Sequence, residues 1–283
     1  MPSDLVFCSP AMPGVPLLDR LAPVAAAGFS AISLMPSDVW ALEEAGMLAP
    51  EIAARIADAG LRVAEMDCTA CWMPRQTTQG DGGDLSQLLR SLTIERVVAT
   101  AARIGAPSVV AVDISDSPPT LDEGAEGFAD LCDQAAAHGL RAQIEFLPVG
   151  GIRTLTEAWG IVEAAGRANG GLTIDAWHFF RSGSTLEQLA RIPGERIHTV
   201  QLCDAPAAPQ TDLWAELMTA RLLPGEGELD LSGLIRTLDA IGSTAPIGVE
   251  IFNTRQNDQP LTQIAQDWTA AARSVLAQAR GNA

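Results

Sequence analysis

Glu145 sits in Ile144-Glu145-Phe146 and Glu250 in Val249-Glu250-Ile251, each a single carboxylate inside a short apolar run that would pack as a β-strand. Two further runs share this grammar: Leu172-Thr173-Ile174-Asp175, followed by His178, and Thr199-Val200-Gln201-Leu202-Cys203-Asp204. Each run delivers one oxygen able to ligate a cation: Glu145, Asp175, Gln201 and Glu250. Burying carboxylates this close together is costly unless they are paired or share a cation. A divalent metal with oxygen ligands is the simplest offset. Gln201 is the weakest donor of the set, because a neutral amide ligates less well than a carboxylate or imidazole, and it could instead hydrogen-bond a substrate.

His178 follows Asp175 by three residues, so at a strand end it would lean over the same mouth, poised for proton transfer near neutral pH. His198 has the opposite strand parity to Gln201 and reads as structural, as does His138 at a helix end. In Arg221-Leu-Leu-Pro-Gly-Glu-Gly-Glu-Leu-Asp230 the arginine can fork two hydrogen bonds to a carboxylate or to vicinal hydroxyls, and Asp230 can cap the next helix. Trp72, Trp177 and Phe179 fall beyond strand ends, where an aromatic suits the apolar face of a sugar ring or packs as a lid. Cys68-Thr-Ala-Cys71 has a dithiol spacing but follows the third strand, not a helix start, and reads as incidental.

These residues need a frame that brings four strand ends together. Strand-like runs appear at Leu5–Cys8, Ala31–Met35, Leu61–Cys68, Ser108–Ile114, Leu140–Leu147, Leu172–Asp175, Ile197–Cys203 and Ile247–Phe252. Between and after them run helical patterns: Pro16–Ala27, Ala49–Ala59, Ser91–Ile104, Thr120–His138, Thr154–Arg167, Leu186–Arg191, Asp230–Ile241 and Pro260–Gln278. Gly28, Gly60, Gly105 and Gly139 serve as stops, the pair Gly170-Gly171 closes the fifth helix, and a polar passage rich in glycine covers 76–84. Eight strand–helix units predict a (β/α)8 TIM barrel, one α/β domain over 1–283. An open doubly wound sheet is the rival, but no glycine-rich turn follows the first strand. In such barrels the carboxyl ends of the strands form the active face, and all four oxygens lie late in their strands.

Composition narrows the chemistry. All 18 Lys+Arg residues are Arg, which removes Schiff-base aldolases, PLP enzymes and P-loop NTPases, and without tyrosine no phenol can act as an acid. A net charge of −17 argues against nucleic acid and against an anionic membrane surface as partners. With 47% hydrophobic residues the chain is a compact globule, and no run approaches a membrane span, so it reads as cytoplasmic. Five cysteines, an odd number, fit reduced thiols. Nothing fixes the number of subunits, and a homo-oligomer is compatible with the sequence.

The order Glu145, Asp175-x-x-His178, Val-Gln201-Leu-Cys-Asp204, Arg221-x-x-Pro-Gly-Glu-Gly and Val-Glu250 resembles the xylose isomerase-like TIM-barrel superfamily, in particular its sugar-phosphate isomerase/epimerase-type members. The likeness covers nearly the whole chain, with the specific motifs in its second half. It implies one Mn, Mg, Co or Zn ion on Glu145, Asp175, Gln201 and Glu250. In ketose 3-epimerases of the family the residues matching Glu145 and Glu250 are paired acid and base, while those matching His178 and Arg221 hold substrate oxygens. Most members have His at the place of Gln201; a glutamine there is similar to the branch of bacterial 3-dehydroshikimate dehydratases, where a histidine like His178 takes part in proton abstraction.

The expectation is an enzyme that removes a proton next to a carbonyl of a small polyhydroxylated substrate through a metal-stabilised enediolate. Its catalytic residues are Glu145, Glu250 and His178, with Arg221, His178 and Trp177 binding substrate. Return of the proton makes it an isomerase or epimerase, and loss of a β-hydroxyl makes it a dehydratase or, more broadly, a lyase. A non-catalytic accessory barrel is the third reading, against which both glutamates speak. Hydrolytic or DNA-repair metal enzymes need more than the three histidines present and a basic surface.

Overall fold

A computed structural model describes residues 4–12, 14–73, 84–256 and 258–281. Eight parallel strands close into a barrel in sequence order: β1 (Leu5–Phe7), β2 (Ala31–Leu34), β3 (Arg62–Thr69), β4 (Ser108–Val112), β5 (Arg141–Glu145), β6 (Gly170–Asp175), β7 (Ile197–Leu202) and β8 (Ile247–Val249). Twelve α-helices are described: α1 (Leu17–Ala26), α2 (Pro36–Glu44), α3 (Ala49–Asp58), α4 (Asp84–Ser91), α5 (Ile94–Ile104), α6 (Leu121–Ala136), α7 (Leu155–Ala165), α8 (Ala176–Arg181), α9 (Leu186–Leu189), α10 (Leu213–Thr219), α11 (Leu231–Ala240) and α12 (Leu261–Ala279). The predicted eight-fold α/β barrel is the observed one. Most of the polar passage predicted at 76–84 lies outside the described residues.

Local chemistry sets the helix limits. Thr120 and Thr154 each form a reciprocal capping box, with Glu123 and Glu157, at the starts of α6 and α7. Gly105 ends α5 with φ +76°, a conformation that costs a side-chain-bearing residue about 1 kcal/mol or more. The fifth predicted helix stops earlier than expected, at Ala165, because Gly166 takes the left-handed cap. Gly170 and Gly171 belong instead to β6, where a Cβ on Gly171 would collide with the Arg196 carbonyl oxygen. Four helices, α2, α4, α8 and α10, were not separate elements in the sequence reading.

Strand residues outside the barrel lumen pack against the helical layer, and β1 shows how the ring is sealed. Phe7 stacks on Trp268 of α12 (centroids 4.9 Å apart) and meets Phe29 edge-on at 5.5 Å. Trp268 is fully buried, and its Nε1–H donates to Gln256 Oε1 at 2.7 Å. The last helix is thereby fastened to the first strand, while β8 pairs with β1 in the sheet. Among the described residues no helix is long and apolar enough to cross a membrane. Trp268→Ala should cost about 3–5 kcal/mol in urea unfolding, since it empties a large site between α12 and β1.

Candidate active site

Register brings the four expected oxygens together. Glu145 ends β5 opposite Thr173, Asp175 ends β6 opposite Gln201, and Gln201 pairs with Gly248, two residues before Glu250. Side chains two apart on a strand share a face, so all four point into the mouth at the carboxyl ends of the strands. They are 6%, 0%, 0% and 4% exposed for Glu145, Asp175, Gln201 and Glu250.

Asp175 has a second task that the strand pattern does not reveal. Its Oδ1 accepts the backbone N–H of His178 at 2.8 Å and so caps α8. The Asp-x-x-His spacing is thus that of a cap and the third helical residue, a strong N-terminal signal. Trp177, His178 and Phe179, placed beyond a strand end by the sequence, lie in this helix and are buried. The Trp177 indole N–H donates to Glu216 Oε1 at 2.9 Å, and Arg181 Nε donates to the same oxygen at 2.7 Å. Trp177, expected to face substrate, is therefore a buried wall clamped to α10. Trp72 is also buried, donating to the Val112 carbonyl at 2.8 Å.

Arg221 occupies the centre. Its backbone N–H donates to the Phe252 carbonyl at 3.1 Å, its carbonyl accepts from Asn253 Nδ2 at 2.7 Å, and the next residue, Leu222, exchanges backbone bonds with Asp204. The segment is thus pinned between the extensions of β7 and β8. The guanidinium, with no solvent exposure, places Nη1 2.8 Å from Asp175 Oδ2 and 3.2 Å from Glu250 Oε2, with Nη2 3.4 Å from His178 Nε2. Expected to hold substrate, it serves in this structure as the internal counter-ion of the site. The Asp204 carboxylate fastens the Pro-Gly-Glu-Gly turn by accepting from Ala205, Gly225 and Leu229 N–H groups, and Asp230 caps α11.

One ligand atom each from Glu145, Asp175 and His178 lie within 4.8 Å of one another. His178 Nε2 is 3.5 Å from Glu145 Oε1, and Gln201 Nε2 approaches Glu250 Oε1 at 3.5 Å. Gln201 Oε1 is buried without a partner, as a donor oxygen directed at a cation would be. Oxygen donors with one imidazole suit a small divalent ion. Burial, reinforced by Glu250, Asp67 and Asp175, pushes the Glu145 carboxyl well up. Burial also raises Glu250 to about 8 against the opposing pull of Arg221. His178 is lowered to about 3, chiefly by burial, and so is neutral at physiological pH.

Two acids on β3 were not singled out in the sequence. Asp67, 6% exposed, interacts electrostatically with Glu250 and Asp175, and burial raises its carboxyl well above the usual range. Glu65, two residues earlier, is buried below it. The signal was present as Val-Ala-Glu-Met-Asp-Cys, an acid-x-acid alternation inside an apolar run. Cys68 and Cys71 are not joined in a disulfide, and the Cys71 thiol donates to the Leu89 carbonyl. His198 is buried, with its ring beside Gly171, while its neighbour Thr199 faces the lumen.

The family described as xylose isomerase-like TIM barrel matches residues 21–272. A 3-dehydroshikimate dehydratase of Pseudomonas aeruginosa is 30% identical over 84% of this chain and 36% of its own length. An inosose isomerase of Bacillus velezensis is 32% identical over 55% of this chain and 57% of its own length. The chain thus spans about a third of the first relative and little more than half of the second is matched. Among solved structures, an IolI protein with a bound zinc atom superposes with a TM-score of 0.83 at 20% identity, covering 97% of this chain and 98% of that one. An L-ribulose 3-epimerase superposes with a TM-score of 0.73 at 19% identity, covering 99% and 96%.

The crowded acids make stability depend on pH when no metal is bound. Glu250 keeps its proton in the folded state up to about pH 8, whereas the unfolded chain releases it above its ordinary value of 4.5. The unfolded state then binds fewer protons, so stability falls as pH rises through this window. His178 opposes this only below its ordinary 6.5, where the unfolded chain gains a proton that the folded state refuses. Urea unfolding of chelator-treated protein should therefore show stability rising as pH falls from 8 to 6.5, by about 1.4 kcal/mol per pH unit per such carboxyl.

Proposed function

The chain belongs to the xylose isomerase-like TIM-barrel family, and from that premise we propose that it is a divalent-metal-dependent isomerase or epimerase acting on a small polyhydroxylated substrate. The observation that carries this reading is the convergence at one barrel mouth of two buried carboxyls, Glu145 and Glu250, with Asp175, His178 and the unpartnered side-chain oxygen of Gln201. Two carboxyls at one site can divide the taking and the return of a proton.

Glu145, Asp175, Gln201 and Glu250 are the residues proposed to hold the ion, with His178 close enough to join them. A bound divalent cation would polarise the substrate carbonyl and lower the barrier to losing the adjacent proton. Glu145 and Glu250 divide the proton work: one accepts it from carbon and the other returns it to the opposite face or to the neighbouring carbon. Neutral His178 offers a ring nitrogen to a substrate hydroxyl or to the proton in transit. Arg221 holds Asp175 and Glu250 in register and limits their mutual repulsion. Asp67, Glu145 and Glu250 each keep a little exposure at the mouth, and acids there favour hydroxyl donors over anions.

A dehydratase is the second reading, favoured by one observation. The 3-dehydroshikimate dehydratase match extends over 84% of the chain, against 55% for the inosose isomerase. In that case the same carboxylate or His178 takes the proton, and a β-hydroxyl leaves before the proton can return. The ion's identity within the group Mn, Mg, Co and Zn is part of the proposal; a zinc-containing relative shares the fold.

Proton NMR in D₂O of metal-loaded protein with ketoses, inososes, 3-keto sugars and 3-dehydroshikimate separates the two. Deuterium wash-in at one carbon with the skeleton intact is the expected result, and an unsaturated product identifies the dehydratase. Glu250→Gln should lower turnover about 100-fold or more with an unchanged circular dichroism spectrum. Full activity in that variant would exclude Glu250 from proton transfer.

A further inference from the structure

One layer beneath the site, the lumen holds three polar side chains where barrels of this type usually carry Val, Ile and Leu. Glu65 of β3, Gln143 of β5 and Thr199 of β7 are 1%, 0% and 2% exposed. Gln143 Nε2 donates to Glu65 Oε2 at 2.6 Å and lies 3.0 Å from Thr199 Oγ1. The Thr199 hydroxyl donates to the same Glu65 oxygen at 2.5 Å. The three strands are alternate ones around the ring, which is how a lumen layer is built. β3 also shifts register against β2 between Ile32 and Leu34, opposite the stretch that contains Glu65. Such irregularities re-aim side chains.

Strand side chains repeat their direction every second residue. The residues two further along these same strands, nearer the mouth, are Asp67, Glu145 and Gln201. Each member of the polar layer therefore stands directly below a residue of the site, about 6.6 Å away along the strand.

Stability does not account for this layer. No cation lies within hydrogen-bonding distance of Glu65 among the described residues: Oε2 takes both donors, and Oε1 has no partner, as is also true of Gln143 Oε1. Replacing a whole buried polar cluster by apolar residues of similar volume is often neutral or stabilising, so such a cluster is weak evidence for stability; removing Glu65 alone would instead strand donors of Gln143 and Thr199. What the layer supplies is direction. Short hydrogen bonds converging on one oxygen fix the relative height and rotation of three strands that do not pair with each other in the sheet.

We propose that Glu65 is a positioning residue for the metal centre, acting through Gln143 and Thr199 to fix the strands that present Glu145 and Gln201. This rests on the reading of those two residues as ligands. Groups behind metal ligands commonly change metal affinity by 10–100-fold when removed.

The test is Mn(II) titration by calorimetry on wild type, Glu65→Met, Glu65→Gln and Thr199→Val, with urea unfolding of each metal-free protein. Glu65→Met should remain folded in the absence of urea, less stable than wild type because the Thr199 hydroxyl loses its acceptor, and should bind Mn(II) about 10–100-fold more weakly. Thr199→Val removes one donor from a similar shape and should weaken binding in the same direction; it decides the matter should Glu65→Met fail to fold. Glu65→Gln still accepts both hydrogen bonds and should stay within about threefold of wild type. Wild-type affinity in both Glu65→Met and Thr199→Val overturns the proposal while leaving the metal reading intact, and so does an affinity loss that the unfolded fraction under the titration conditions accounts for in full. A wild-type protein that binds no divalent ion overturns the metal reading and this proposal with it.

Discussion

A guanidinium without access to water holds the open end of this barrel together. Arg221 lies between Asp175 and Glu250, and its charge offsets the acidic groups that two strand ends carry into one dry space. Removing one partner from such a buried arrangement typically costs about 3–5 kcal/mol, because the remaining charges are stranded. The arginine can do this only because its backbone is tied on both sides, to Phe252 and Asn253 beyond β8 and, through Leu222, to Asp204 after β7. Electrostatics at the mouth and backbone pairing in the connections are therefore one structure.

Asp175 is the second shared element. One oxygen caps α8, the other faces Arg221, and the residue is among those suited to a cation. Its position sets where His178 stands, since the capped turn begins immediately after the strand. Glu216 closes the far side of that turn by holding Trp177 and Arg181, and it also accepts the Gln210 backbone N–H. The imidazole is thus located by two carboxylates that never touch it through a ring nitrogen, and the helix that carries it needs only six residues.

Much of this was legible before any coordinates. Strand and helix periods, with glycine stops, specify eight units, and the acids of β5, β6 and β8 stand out because each is alone in an apolar run. What escaped was of two kinds. α8 looked like loop because a helix this short has no full hydrophobic period; its information is a single cap, readable only once Asp175 is seen as something besides a strand residue. Glu65 and Asp67 escaped because an alternating pair of acids is also how a rim strand reads, and only the closed ring shows that both point inward. The burial of Arg221 was beyond local pattern altogether, since its partners lie 46 and 29 residues away in the chain.

The closure of β8 onto β1 also orders events in time. Glu250 and the anchor of Arg221 both lie just beyond β8, the strand that pairs with β1 and β7. A ribosome-bound chain that has emerged only as far as β7 already carries Glu145, Asp175 and Gln201, but neither the second glutamate nor the fixed guanidinium. The cluster of Glu145, Asp175, Arg221 and Glu250 is therefore complete only once the ring is shut.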